Sequence, residues 1–476
     1  METQLNKKTA NVTGKRPIKI LQFGEGNFLR AFVDWMIDIL NEQTDFNGNV
    51  QIIQPIPKGR IDDLNRQDGL YHVLLQGLED GEPVSITRLI TSVGGGINPY
   101  NDYQNFLSLA ENPDLEFMVS NTTEAGIAYD PTDTSADTLP NSFPGKMTTL
   151  LHHRFQHFNG DPGKGLTIIP CELIDRNGDH LKNYILRYAE EWGLEHSFIQ
   201  WINENLTFCN TLVDRIVPGY PTEQADEIKT ELGYDDNLLV KGEYFHLWII
   251  EGPESIQEQL PFHQAGLNVK FVDDLSAYRT RKVRILNGLH TSMVPVGYLY
   301  GLRTVREAVE DKVVGNFLNK ALHNEIIPTL DLSAKELSEF ANAVLERFRN
   351  PYIRHELSAI ALNSVSKYKV RVLPSVLQYI EQEDDLPHRL LIALAALIRF
   401  YKGTLEGESI PVNDSEVVVD FMKEAWKSSD YEAITQKVLS NTDFWDRDLT
   451  AVKNVSKVVA NYLESIDSRG MRSVLQ

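Results

Sequence analysis

A chain of 476 residues that is 42% hydrophobic and 9% aromatic has enough apolar material for more than one core, and two or three domains are expected at that length. Its 67 acidic against 46 basic residues leave a formal charge of -21, which argues against a nucleic-acid backbone or an anionic membrane as the main partner, while leaving room for a small anion held by local cations. Two cysteines, Cys171 and Cys209, are too few for a disulfide framework or a cysteine zinc site and fit a reducing, cytoplasmic setting.

In chain order, the N-terminal METQLNKKTANVTGKRP is polar and lacks the apolar core of a secretion signal. The run IKILQF (18–23) then reads as a strand that meets two glycines and a helical stretch ending AFVDWMIDIL. Further strand patterns follow at VQIIQPI (50–56), LEFMVSN (115–121), GLTIIPC (165–171) and NVKFVDD (268–274). Strands alternating with helical segments predict a mostly parallel sheet covered by helices on both faces. Beyond about residue 275 the pattern turns helical, in VGNFLNKALHNEIIPTL, AKELSEFANAVLERFRN and HRLLIALAALIRFYKG. Within the last of these, LLIALAALIRF (390–400) is too short to span a bilayer and reads as a buried helix. The expected division is an α/β domain over 1–271 and a mainly α-helical domain over 272–476.

The stretch LQFGEGNFLR (21–30) has the strand, turn and helix order of a dinucleotide site, in which a glycine-rich turn and a helix start receive the pyrophosphate. Gly24 and Gly26 stand where two of the glycines belong, and Leu29 where the third is expected. The acid that ordinarily ends the second strand and meets the adenosine ribose is missing, because VQIIQPI runs into Pro57, Lys58, Gly59 and Arg60. Lys58 and Arg60 are candidates for a 2′-phosphate or are simply solvated, so these residues leave NAD and NADP both open.

A second constellation lies just past the expected boundary, in RKVRILNGLHTSMVPV (281–296). On a regular α-helix His290 falls about 80° and Asn287 about 140° around from Lys282, so all three border one cleft. A lysine desolvated at a domain junction exchanges a proton near neutrality, and an asparagine and a histidine beside it polarise a carbonyl oxygen. The same three residues also suit a solvent-facing lysine, a cleft-lining asparagine and a core histidine.

Together the two stretches resemble the polyol-specific long-chain dehydrogenase and mannitol dehydrogenase family, which carries a G-x-G-x-F-x-R turn and a K-x-x-x-x-N-x-x-H helix. Gly24, Gly26, Phe28 and Arg30, then Lys282, Asn287 and His290, stand here at full spacing. Through QDGLY, SNTTEAGI, IIPCELIDRNGD, TLVDRIVPGYP and RFRNPYIRHEL the likeness narrows to members that interconvert D-tagaturonate and D-altronate with NAD in hexuronate catabolism. The resemblance implies an N-terminal Rossmann-like NAD-binding domain and a mainly helical substrate and catalytic domain. It implies that Lys282 is the general acid in ketone reduction and the base in the reverse direction, with Asn287 and His290 holding the reacting oxygen. Phe23, Gly24, Glu25, Gly26, Asn27, Phe28 and Arg30 are expected to receive the cofactor, Asn121, Thr122 and Asp214 to line its nicotinamide side, and no catalytic metal is expected. Fructuronate reductases and mannitol-type dehydrogenases share these motifs, and a non-catalytic dinucleotide-binding regulator would share the turn.

One segment departs from the family. Mannitol dehydrogenases carry a second oxyanion asparagine that falls here on Leu173, leaving Glu172, Asn177 or a water for that role. Glu172 and Asp175 also read as caps of the helix beginning near Asp179. A uronate carboxylate calls for a guanidinium, and the candidates are Arg347, Arg349, Arg354, Lys367 and Arg371, with Arg347 and Arg371 ranked first. The expected partner is thus a small uronate or aldonate, with neither nucleic acid nor membrane, for a monomer or small homo-oligomer.

Overall fold

The computed structural model describes residues 3–123 and 125–475. The chain forms two compact units. One holds the residues up to Gly77 together with Val84–Leu275, and the other holds Leu78–Pro83 with the chain from Ser276 onward.

In the first unit the chain runs through β1 (Ile18–Phe23), α1 (Asn27–Arg30), α2 (Val33–Gln43), β2 (Asn49–Ile53), β3 (Tyr71–Glu79), β4 (Glu82–Ile90), β5 (Val93–Ile97) and β6 (Phe117–Ser120). It continues through α3 (Phe143–His157), β7 (Thr167–Pro170), α4 (Asn177–Glu191), β8 (Thr207–Phe208), β9 (Asn210–Asp214), β10 (Val240–Glu243), β11 (Leu247–Glu251) and β12 (Val269–Val272). Six strands form one parallel sheet in the order β5-β2-β1-β6-β7-β8. Strand order therefore reverses between β1 and β6, the place where doubly wound sheets open a crevice at the carboxyl ends of their strands.

Both faces of this sheet are buried, which is why its strands read as apolar runs rather than as alternation. Ile20, Val50, Ile52 and Val119 pack with Val33, Met36 and Leu40 of α2 on one side. On the other, Leu21, Phe23, Ile53 and Met118 pack with Met147 and Leu150 of α3 and Leu181 and Ile185 of α4.

Three differences from the sequence pattern have physical causes. NVKFVDD forms a strand, β12, but outside the parallel sheet: it pairs with β11 in a three-stranded sheet that β9 completes. Its buried Val269 is followed by partly exposed residues, so it does not suit a position covered on both faces. The edge strand β5 reads VGGGI and carries little strand propensity. A Cβ at Gly96 would lie 2.4 Å from the end of the Ile61 side chain, so a larger residue there would have to push that side chain aside. On the outer side of β5, the Asn65 amide donates to Gly96 O at 2.9 Å and accepts from Gly96 N–H at 2.8 Å. Lastly, the helix after the glycine turn is broken at Ala31 and Phe32. The Ala31 carbonyl accepts from Arg215 at 2.6 Å, and the Phe32 ring packs between Phe28 and Trp248.

The second unit runs α5 (Ser276–Lys282), a π turn (Val283–Asn287), α6 (Gly288–Tyr300), α7 (Lys312–Ala321), α8 (Ala334–Phe348), α9 (Ser364–Arg371), α10 (Leu373–Glu383), α11 (His388–Phe400), α12 (Tyr431–Leu439) and α13 (Val455–Arg469). The apolar α11 lies against α6 and α13 and is buried from Leu390 to Phe400. Its one charged buried residue, Arg399, pairs with Asp467 of α13 at 2.5 Å. Among the described residues no helix is long and apolar enough to cross a membrane.

Candidate active site

The glycine turn sits at the reversal of strand order. Gly24 has φ +120, its N–H donates to Ile53 O at the end of β2 (3.0 Å), and a Cβ would lie 2.8 Å from Asn121 O beyond β6. Only glycine fits this position. Gly26 is exposed, and a side chain there would meet nothing within 4 Å, so packing does not call for a glycine at this position. Asn27 is exposed and Phe28 half-buried, whereas Phe23 is wholly in the core between Phe106 and Phe143.

Arg30 braces this turn from within. It is buried, lies over the Tyr71 ring, and donates to Glu25 O (3.1 Å), Asn27 Oδ1 (2.7 Å) and Leu238 O. A guanidinium has a fixed fork of donors, and this one spends them on the protein. Beyond the ends of β2 and β6, a cavity of about 450 Å³ is lined by Pro55, Ile56, Thr122, Tyr129, Asn141 and Phe143, among others. Thr123 on its wall holds φ +76, a costly conformation for a β-branched residue.

Asn121 follows β6 and donates from its amide to Cys171 O at 2.9 Å. The buried Glu172 accepts from Thr122 N–H (2.9 Å), Thr122 Oγ1 (3.0 Å) and Ser120 Oγ (3.0 Å), and burial pushes its carboxyl above the ordinary value. It therefore clamps the ends of β6 and β7 and does not cap α4. Asn177 is also structural: its amide donates to Pro170 O, Glu172 O and Thr211 Oγ1, and its oxygen accepts from Gly178 N–H and Thr211 N–H. With its capacity spent inside the protein, it does not replace the family's second oxyanion asparagine. Leu173 is 61% exposed, and Asp214 is buried at the end of β9 opposite Leu247.

In the second unit Lys282, Asn287 and His290 lie on one continuous helix, but it is not a regular α-helix. The five residues Val283–Asn287 form a π turn. At about 82° per residue instead of about 100°, a π turn of five residues brings Asn287 to about 50° from Lys282, and three more α-helical residues bring His290 to within about 10°. The expected arc of about 140° thus contracts to one narrow strip. His290 stacks on Phe348 with ring centroids 4.1 Å apart and meets His355 edge-on at 5.3 Å. Burial pulls His355 below the ordinary histidine value.

Both α8 and α9 pack against the π turn. Arg347 is half-buried beside Phe348, and Arg371 ends α9, where its carbonyl would lie 2.9 Å from a Cβ at Gly288. Burial lowers the Arg371 guanidinium from its ordinary value. The other cation candidates stand differently: Arg349 and Arg354 are exposed, Arg354 pairing with Glu356, while Lys367 donates to Ile360 O at 2.8 Å. Arg279 stands one helical turn before Lys282, and burial lowers its guanidinium from the ordinary value, as it does that of Arg371. Among the described residues no group of three or more His, Cys, Asp or Glu side chains is arranged to hold a metal ion.

The chain matches the mannitol dehydrogenase Rossmann domain over residues 18–264 and the mannitol dehydrogenase C-terminal domain over 274–467. It is 48% identical to altronate oxidoreductase of Bacillus subtilis (strain 168) over 475 residues, covering 99% of this chain and 98% of that protein. It is 47% identical to altronate oxidoreductase of Phocaeicola vulgatus over 469 residues, covering 98% of each. Among solved structures, D-sorbitol dehydrogenase in substrate-free form superposes with a TM-score of 0.82 at 22% identity over the whole of both chains. Pseudomonas fluorescens mannitol 2-dehydrogenase, in a ternary complex with NAD and D-mannitol, gives 0.66 at 21% identity over 99% of each. These matches run through both units, and the chain accordingly belongs to the mannitol dehydrogenase family, as a polyol or sugar-acid oxidoreductase acting on CH–OH groups.

Proposed function

We propose that this protein is a cytoplasmic, NAD-dependent tagaturonate reductase that interconverts D-tagaturonate and D-altronate. The observation that supports the chemistry is the π turn over Val283–Asn287, since its wider helical step favours Lys282, Asn287 and His290 on one side of the helix. The substrate reading is supported by relatives named altronate oxidoreductase at 47–49% identity over nearly the full chain.

The first unit fits a nicotinamide dinucleotide. The close backbone approach at Gly24, the open space at Gly26 and the cavity beyond the ends of β2 and β6 suit a pyrophosphate and the adenosine end. When bound, the nicotinamide supplies or accepts the hydride. Asn121, Thr122 and Asp214 would border its reacting side, with Glu172 holding Thr122 in place.

Lys282 gives its ammonium proton to the ketone oxygen as the carbon gains hydride, and the amine takes that proton back when the alcohol is oxidised. Asn287 and His290 donate to the same oxygen and stabilise the charge that develops on it. Arg347 and Arg371 hold the distant carboxylate, a group that a guanidinium binds through two parallel hydrogen bonds.

The test follows loss of the reduced-nicotinamide absorbance with D-tagaturonate and NADH. Lys282→Ala is expected to lower kcat by about 10²–10⁴-fold with cofactor binding kept, and Arg371→Ala to raise KM for the uronate. Turnover confined to fructuronate or fructose would overturn the substrate, and no turnover with any of them would leave a dinucleotide-binding protein without this activity.

A further inference from the structure

The carboxyl end of β2, where doubly wound dehydrogenases place an acid for the adenosine ribose, reads Gln54-Pro-Ile-Pro-Lys-Gly-Arg60. Two of its polar side chains are committed elsewhere, while Lys58 is exposed. Gln54 is buried and donates to Ile56 O (2.8 Å) and Pro57 O (3.2 Å). The Arg60 guanidinium turns to Asp63 Oδ2 (3.0 and 3.1 Å) and to Asn237 O (2.9 Å).

A carboxylate nevertheless stands at this spot, delivered from another element. Glu25, between the two glycines of the turn, reaches across so that its Oε1 accepts the Arg60 N–H at 3.3 Å. The same oxygen would lie 2.0 Å from a Cβ on Gly59, so a side chain at 59 would displace it. The backbone of Glu25 is fixed in turn by the buried Arg30, which donates to its carbonyl at 3.1 Å. Partial burial raises the Glu25 carboxyl from its ordinary value, the mark of a group withdrawn from bulk water.

We propose that Glu25 is the acid that accepts hydrogen bonds from the adenosine ribose hydroxyls and selects NAD over its 2′-phosphorylated form. The assignment rests on reading the first unit as a nicotinamide-dinucleotide site. A carboxylate offers two oxygens to a vicinal diol. Facing a 2′-phosphate, it sets like charges together where partial desolvation makes their repulsion strong. Gly59 leaves the space that Glu25 occupies, and Arg60, drawn off by Asp63, does not turn its charge toward a phosphate there.

Binding of NADH and NADPH is measured by fluorescence titration of wild type, Glu25→Gln and Gly59→Ala without any sugar present, with far-UV circular dichroism as a fold control. Wild type is expected to prefer NADH by about 100-fold, and Glu25→Gln to shrink that ratio by about tenfold or more, the scale of one lost charge-assisted contact. Gly59→Ala keeps the carboxylate but moves it, and is expected to shrink the ratio in the same direction. In competition, AMP is expected to displace NADH from wild type far better than 2′-phospho-AMP does. A wild-type preference for NADH that both variants leave within about twofold overturns this assignment alone. Binding of neither dinucleotide to wild type overturns the cofactor reading and this assignment with it. A wild-type preference for NADPH overturns the assignment while leaving a dinucleotide site, and sugar specificity enters none of these outcomes.

Discussion

Asp34 lies under the glycine turn with no exposure to solvent. Its Oδ2 accepts from the Tyr71 hydroxyl at 2.8 Å and from Gln22 at 3.3 Å, while Oδ1 has no hydrogen-bond partner. Burial pushes its carboxyl from 3.8 up to about 7. In that window the native state keeps a proton that the unfolded chain has released, so this residue makes stability fall as pH rises from about 4 to about 7, by up to about 1.4 kcal/mol per pH unit, and leaves it level above. Asp34→Asn keeps an acceptor for Tyr71 and removes the titration. Urea unfolding midpoints across pH 4–7 are expected to drop more steeply for wild type than for the variant, and parallel profiles would refute the assignment. Nothing in AFVDWMIDIL marks Asp34 as special, because its environment depends on Tyr71, 37 residues away. Glu25 was legible as part of the turn, but its reach to the Arg60 N–H, 35 residues away, was hidden for the same reason. Gly24, Gly26, Lys282, Asn287 and His290 were legible as residues because their spacing within short stretches carries the signal.

At the scale of elements, the lysine helix shows where a constant angular step misleads. Periodicity places Asn287 far around the axis from Lys282; the π turn closes that gap, and a π turn leaves no mark in an apolar pattern. Its surroundings are tight at Gly288, where a Cβ would lie 2.9 Å from the carbonyl that ends α9. Gly288→Ala therefore has to shift either the helix or α9. The expected cost is about 1–3 kcal/mol of stability, as for other overpacked sites, with a fall in kcat for the uronate and no change in NADH affinity. Unchanged kcat in a folded variant would show that the strip tolerates the movement. The broken helix after the glycine turn teaches a similar lesson. The amphipathic run 27–43 is continuous in sequence, and its interruption comes from Arg215, far along the chain, claiming the Ala31 carbonyl.

For the whole molecule, the parallel sheet and its helical cover were readable because strands buried on both faces are apolar throughout. The small sheets built from β3, β4, β9, β10 and β11 were not: although β3 and β4 follow one another in the chain, their sheet is completed by a distant segment, β10, beside β3. The edges of the main sheet carry a further consequence. One ends in the two-residue β8. The other, β5, presents glycines, and the Asn65 amide occupies both hydrogen-bonding groups of Gly96. A free strand edge is a template on which a second chain can add its own strand, and proteins that blunt such edges resist aggregation. A single side chain thus stands in for the missing neighbour strand and denies it to any other molecule. Asn65→Leu leaves the N–H and C=O of Gly96 bare, and light scattering on heating is expected to rise at a lower temperature than in wild type. An unchanged onset would mean that the glycines and the short opposite strand already suffice to keep copies of the chain apart.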